Sequence, residues 1–228
     1  MCALLTPFPT HEIANCFLPR DAKPWARFDY HYTKGKLRSD PLYPHVAAQL
    51  KDSKLPLLDV GCGLGLLAHV LRACGHRGPY AGVDHDGSKI ARAKAAAAKL
   101  GQASFATLDV QEPLPVHAGD VALLDVLHYL PAEAQAELLR QCASRVAPGG
   151  QLVLRVGLRD GSWRYRATKA SDTIGRMTRW MKCGALAYPT RDEIEVALAP
   201  LGLRGEFTPL YQGTPFNNYL AVFTRPLH

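Results

Sequence analysis

Residues 57–65 read Leu-Leu-Asp-Val-Gly-Cys-Gly-Leu-Gly. A short apolar stretch runs into Asp59 and then into Gly61, Gly63 and Gly65, with Cys62 between the first two. The next residues, Leu66 to Ala73, have a helical pattern. A strand that turns through glycines into a helix lets the backbone approach a ligand closely and aims N–H groups at it, as nucleotide-like ligands require. A second carboxylate, Asp84, closes Tyr80-Ala-Gly-Val-Asp84, 19 residues beyond Gly65. One helix and one strand fill that interval, and a carboxylate so placed can accept both hydroxyls of a ribose. A fourth apolar run, Asp120 to Asp125, leads into Val-Leu-His128-Tyr129. An ordinary histidine pKa of about 6.5 suits proton transfer at neutral pH. His128 is therefore either a general base or an aromatic pocket wall, and Tyr129 either orients an acceptor or packs.

The elements that must position these residues alternate. From residue 55 the pattern reads strand, helix, strand, which implies an α/β fold with a mostly parallel, doubly wound sheet. Ser88 to Leu100 is predicted to be an alanine-rich helix closed by Gly101. A third strand is expected from Ser104 to Asp109 and Val110. Pro131 to Val146 reads as a helix with Pro first and Pro-Gly-Gly after it. Residues 158–188 interrupt the alternation as an insert, where Ile174, Met177 and Met181 share a helical face. Thr190-Arg-Asp-Glu193 fits a capping box. Two strands near 203–210 and 217–224 close the chain. Residues 1–54 are read as a helical N-terminal extension and 55–228 as the main domain.

The glycine spacing separates two classes of loop. A dinucleotide loop would need its third glycine at position 66, where Leu stands. The GxGxG form, Asp59, Asp84, Asp109 and Ala147-Pro-Gly-Gly150, taken in order, resemble the class I (Rossmann-like) methyltransferases that use S-adenosylmethionine (SAM). That resemblance implies a seven-stranded sheet with an antiparallel last strand. It places Asp59 near the methionine end of SAM, Asp84 on the ribose, and Asp109 with Val110 near the adenine. His85 would edge the adenosine, and Asp125 would lie by the sulfonium, with His128 near the transferred methyl. Cys62 is read as a small residue tolerated beside the cofactor. Arg38 or Lys36 would meet the methionine carboxylate. Three further segments, Tyr32–Pro41, Leu124–Leu130 and Gly213–Asn218, are similar to the small methyltransferases of bacterial aryl-polyene (xanthomonadin-type) pigment biosynthesis. That narrower likeness implies a hydroxybenzoate-like acceptor, free or tethered to a carrier protein, methylated on oxygen or carbon.

The acceptor side is expected to come from the N-terminal extension, the insert and the last hairpin. Tyr32, Trp163, Trp180, Phe216 and Asn217 are candidate contacts there, with Arg155, at the end of strand five, as a cation for an acidic group. The formal net charge is +7. Residues 20–38 carry six basic and two acidic side chains, and 159–182 carry seven and two, so the remainder is slightly acidic. Both basic segments favour an anionic partner if they flank the entrance, or else are simply solvated. The same charge leaves an RNA or protein methyltransferase as an alternative, although no Asn-Pro-Pro-Tyr motif follows strand four and no RNA-binding module is attached. A SAM-binding protein without turnover is another. The six cysteines are scattered without a CxxC pair, so reduced thiols and a cytoplasmic location are expected, and no metal. Asp84-His85-Asp86 is not read as a metal site. No apolar run reaches a membrane span, and the first residues lack a signal-peptide pattern.

Overall fold

A computed structural model describes residues 8–18, 27–177 and 186–227, side chains at 173–177 excepted. Seven strands form one sheet in the order β3-β2-β1-β4-β5-β7-β6. They are β1 (Leu57–Val60), β2 (Tyr80–Asp84), β3 (Ala103–Thr107), β4 (Asp120–Leu124), β5 (Gln151–Gly157), β6 (Arg204–Pro209) and β7 (Asn218–Thr224). β2 runs parallel to β3, β1 to β4, and β4 to β5, whereas β7 is antiparallel to both β5 and β6. The expected fold class and its reversed final strand are thus present. The order reverses between β1 and β4, where Leu57 faces Asp120 and Val60 faces Leu123. Ligands of open parallel sheets bind beyond the carboxyl ends of the strands at such a switch point.

The chain forms two compact units, Met1–Pro56 with Cys62–Leu108, and Leu57–Gly61 with Asp109–His228. The first contains α1 (Thr10–Asn15), α2 (Phe28–Ser39), α3 (Leu42–Leu50), α4 (Leu66–Ala73) and α5 (Gly87–Ala96) with β2 and β3. Phe8, Ile13, Phe17, Leu37, Tyr43 and Ala47 bury themselves against Leu66 and Val70 of α4. The N-terminal helices are therefore fixed to the helix that follows the glycine turn. An ion pair from Asp29 to Arg92, 2.8 Å long, ties α2 to α5. α5 begins where Asp86 caps it, accepting from the N–H groups of Ser88 and Lys89. It ends at Ala96, four residues short of the expected Leu100. Beyond it the chain turns, with the Ala98 N–H on the Ala95 carbonyl and the Leu100 N–H on the Ala97 carbonyl, and the Arg72 guanidinium binds the carbonyls of Gly101 and Gln102. β3 also stops early, at Thr107, which leaves Asp109 beyond the strand.

The second unit contains β1 and β4–β7, with α6 (Ala132–Ser144), α7 (Trp163–Met177) and α8 (Arg191–Leu198). Val121, Ala122 and Leu152 to Leu154 have no more than 1% exposure, as a central parallel pair covered on both faces requires. Pro131 stands just before α6 as its cap rather than as its first residue. α8 opens with the expected capping box: Glu193 N–H donates to Thr190 Oγ1 at 3.2 Å, and Thr190 N–H donates to Glu193 Oε2 at 2.7 Å. The insert is helical through α7, while Met181 and Trp180 lie outside the described residues.

Candidate active site

In the glycine turn each position has its own physical reason. Gly61, Gly63 and Gly65 all have positive φ, at 80°, 55° and 72°. A methyl on Gly61 would sit 2.2 Å from Val126 Cγ2, and one on Gly65 would sit 2.6 Å from the Phe105 ring. A methyl on Gly63 would meet nothing within 4 Å. Internal packing therefore explains the first and third glycines, whereas Gly63 borders open space. Cys62 donates its N–H to the Val83 carbonyl at 2.9 Å, and its sulfur lies where a side chain on Gly82 would go. The thiol fills space between turn and strand.

Asp84 ends β2 and is buried. Its Oδ2 accepts the Gly63 N–H at 2.9 Å and its Oδ1 accepts the Asp86 N–H at 2.9 Å. The carboxylate thus organises the glycine turn and the entry to α5 together. A carboxylate offers about four acceptor positions, so two remain for a ligand's hydroxyls. Spare acceptors on Asp84 and the space over Gly63 fit a ribose-bearing cofactor. His85 Nδ1 stands 3.5 Å from Asp84 Oδ1, and its ring is exposed. Asp109 is exposed after β3 and accepts the Gln111 N–H in a turn, with Val110 next to it. Asp59 is buried within β1.

At the end of β4 the backbone is unusual. Asp125 has φ 61°, a left-handed conformation that non-glycine residues adopt mainly at constrained sites. It is held there from β5: its N–H donates to the Arg155 carbonyl at 3.2 Å, and its Oδ2 accepts from Arg155 Nη1 at 3.0 Å. Arg155, expected as a cation for an acceptor's acidic group, is engaged by Asp125 in this structure. Its charge is neutralised by Asp125, and its side chain is 12% exposed.

The turn that follows, Leu127–Tyr129, carries His128 into an aromatic group. Its imidazole lies 4.1 Å from the Tyr129 ring and 5.9 Å from the Tyr188 ring, the latter within 9° of parallel. Tyr165 meets Tyr188 edge-on. Burial pushes the His128 pKa below its ordinary value, against the opposing charges of Asp125 and Asp172 and with help from Arg155. Burial therefore favours the neutral ring, the form that can accept a proton. Tyr188 donates its hydroxyl to Asp172 of α7. Neither residue was singled out in the sequence. Tyr188 precedes Pro189 in an otherwise irregular segment, and no spacing pairs it with His128.

The insert and the last hairpin meet through Asn217 and Arg164. Asn217, expected on the acceptor side, is fully buried and tied to protein groups. Its amide donates to the Leu158 carbonyl at 2.8 Å and accepts from the Tyr211 hydroxyl, while its N–H donates to Thr168 Oγ1. Arg164 donates to the Thr214 carbonyl at 2.6 Å and lies over the rings of Trp163 and Tyr211. Trp163 is largely exposed and Phe216 partly so. On α2, Tyr32 is exposed and stacks on Phe28, Lys36 lies over the Tyr32 and Tyr43 rings, and Arg38 is exposed. Among the described residues no group of three or more His, Cys, Asp or Glu could hold a metal, and no helix is long and apolar enough to cross a membrane.

A family model described as a methyltransferase domain matches residues 31–206. The chain belongs to that family. It is a SAM-dependent methyltransferase. No curated protein matches it in sequence. Among solved structures, the methyltransferase is similar to magnesium protoporphyrin IX methyltransferase from Synechocystis PCC 6803 with bound S-adenosylhomocysteine (SAH). That pair has 17% identity and a TM-score of 0.61, covering 92% of this chain and 91% of that one. An O-methyltransferase family protein from Burkholderia thailandensis aligns at 18% identity and a TM-score of 0.62, over 90% of this chain and 63% of that one. The SAM-dependent methyltransferase SibL aligns at 18% and 0.65, over 93% and 65%. The methyltransferase spans less than two thirds of these last two chains, and at such identities the likeness is one of fold.

Proposed function

We propose that the methyltransferase methylates a small aromatic acceptor carrying a hydroxyl, with His128 taking the hydroxyl proton. The observation that carries this reading is the partly buried imidazole of His128 between the Tyr129 and Tyr188 rings, just beyond β4 at the switch point, where burial favours its neutral form. Flat faces of this kind suit a flat ligand, and offset or edge contacts between rings contribute about 0.5–1.5 kcal/mol each beyond area burial. SAM supplies an electrophilic methyl on a positive sulfonium. The glycine turn and Asp84 would hold its ribose, Asp59 its methionine end, and Asp109, Val110 and His85 its adenosine edge, with Arg38 toward its carboxylate. Asp125, fixed by Arg155, would set the start of the loop on which His128 stands. Positioning of this kind can supply up to about 7–11 kcal/mol of a transfer barrier.

Tyr32, Trp163 and Phe216 are the acceptor-side contacts in this reading. Trp163 and Tyr32 expose aromatic surface that a ligand could cover. The basic composition of residues 159–182 favours an acidic acceptor, free or on a carrier protein, in keeping with the resemblance to the aryl-polyene group. The test is incubation with isotopically labelled SAM and a panel of phenolic acids, free and carrier-bound, with the methyl located by mass spectrometry. Label on a phenolic oxygen supports the reading. Label on a ring carbon keeps the acceptor class but removes the hydroxyl-proton role of His128. Transfer to RNA or protein, with none to any phenolic acid, overturns the reading.

A further inference from the structure

Tyr188 stands on a segment with no regular secondary structure, yet it is held at several points. The Ala187 N–H donates to the His128 carbonyl at 3.0 Å. The Gln135 amide, buried in α6, donates to both the Leu130 and the Ala187 carbonyls, at 2.9 and 2.8 Å. One side chain therefore joins the turn that carries His128 to the segment that carries Tyr188. Arg159 adds its N–H to the Pro189 carbonyl at 2.9 Å. The Tyr188 ring rests where β5 has Gly157, and a methyl there would lie 3.1 Å from the ring. Its hydroxyl is bound by Asp172. Tyr188 is thus fixed at its backbone, its ring face and its hydroxyl, and it stacks on the imidazole.

We propose that Tyr188, anchored by Asp172, is the positioning residue for His128. The Tyr188 ring sets the plane of the imidazole, and its face, with the Asp172 carboxylate, favours the imidazolium formed on proton uptake. This rests on the reading of His128 as the base. In that step the acceptor O–H bond breaks, its proton passes to the imidazole, and the oxygen takes the methyl as the sulfonium becomes a neutral thioether. The charged groups acting on the imidazole are Asp125 after β4, Asp172 on α7 and Arg155 on β5, with Tyr129 and Tyr188 as the neighbouring titratable rings and Tyr165 packed edge-on against Tyr188. Asp172 is the one of the two carboxylates that is coupled to Tyr188.

The experiment is an NMR titration of histidine-labelled full-length protein, with the His128 signal identified by its loss in His128→Gln. Calorimetric binding of SAH confirms that each variant is folded. Asp172→Asn is expected to move the His128 midpoint to lower pH, since it removes a charge that favours the imidazolium. Tyr188→Leu is expected to shift the His128 ring resonances, and Tyr188→Phe, which keeps the ring, to leave them near their wild-type positions. Unchanged resonances in Tyr188→Leu, or an unchanged midpoint in Asp172→Asn, would overturn the inference. Should Tyr188→Leu not fold, Asp172→Asn decides alone. Failure of the base reading is a separate result: full turnover by His128→Gln with a phenolic acceptor, whatever the imidazole signals do.

Discussion

Gly63→Ala separates a glycine kept for a ligand from one kept for the fold. The substitution adds one methyl at φ 55°, into space with no protein atom within 4 Å. The left-handed backbone costs an alanine about 1–2 kcal/mol. For a chain of this size that is a fall in melting temperature of about 2–8 °C. The same methyl would enter the space proposed for SAM, and forced contact of that kind costs about 1–3 kcal/mol. The expected result is therefore a dissociation constant for SAH raised roughly 5- to 150-fold. Gly65→Ala is the contrast. Its φ of 72° is similar, but its methyl would lie 2.6 Å from the Phe105 ring. Strain and overpacking together come to about 2–5 kcal/mol, so the melting temperature should fall further, by about 4–20 °C. Thermal melts report the stabilities, and calorimetry with SAH well below the melts reports the affinities. Wild-type SAH affinity in Gly63→Ala would refute the placement of the cofactor over that residue. Equal losses of stability in the two variants would refute the claim that only one of the glycines borders open space.

Asp84→Ala should weaken SAH binding by roughly 10- to 150-fold, the worth of one charge-assisted hydrogen bond at about 1.5–3 kcal/mol, and calorimetry showing unchanged affinity would exclude a ribose role. Asn217→Ala should cost about 2–4 kcal/mol in urea unfolding by stripping the Leu158 carbonyl of its donor and leaving a cavity, whereas an exposed contact residue would cost almost nothing. His69 lies buried on α4 against Phe17, with no hydrogen-bond partner for Nε2 among the described residues, and burial holds its pKa down to about 4. The unfolded chain binds a proton there below pH 6.5 and the folded chain does not, so stability should fall between about pH 6.5 and 4, by up to ~3 kcal/mol in total from this group. Denaturation at pH 7 and pH 5 should show a smaller difference in His69→Phe than in the wild type. Turnover by way of His128 should have its acid limb below the ordinary histidine value, because burial favours the neutral ring; a limb above pH 7 in kcat would point to another group.

What was legible in the sequence follows physical range. The glycine turn, Asp84 and the Thr190–Glu193 box are local devices, each decided by neighbours a few residues away or by one strand-length, and all appear where the residues place them. The mostly parallel sheet followed from the alternation of elements, and its reversed last strand from the family resemblance. An alanine run carries helical propensity without a stop, so the expectation for α5 runs past its end at Ala96. The burial of Asn217 is not legible in the sequence, because a polar residue near aromatics looks the same whether it faces a ligand or the interior. Its partners, Leu158, Thr168 and Tyr211, come from two other segments and the hairpin itself. Tyr188 and Asp172 lie 16 residues apart with no periodic relation. Only the fold brings them to His128.

Arg155 shows how charge in a sequence differs from charge in a site. At the carboxyl end of β5 an arginine looks like a receptor for an anion, and the chain's net charge encourages that reading. Yet a guanidinium at 12% exposure without a counter-charge would carry a heavy desolvation penalty. Asp125 removes that penalty at 3.0 Å, and is itself held at a positive φ by the same strand. The pair therefore contributes shape more than charge: it fixes the start of the loop that carries His128. Attraction for an acidic acceptor must then come from basic side chains outside this pair. Arg159 is partly committed to Glu193, and Arg164 to the Thr214 carbonyl. Arg166 and Lys169 are exposed on α7, the helix that also supplies Asp172 to Tyr188. Any acceptor drawn by those charges approaches the element on which the positioning of His128 depends.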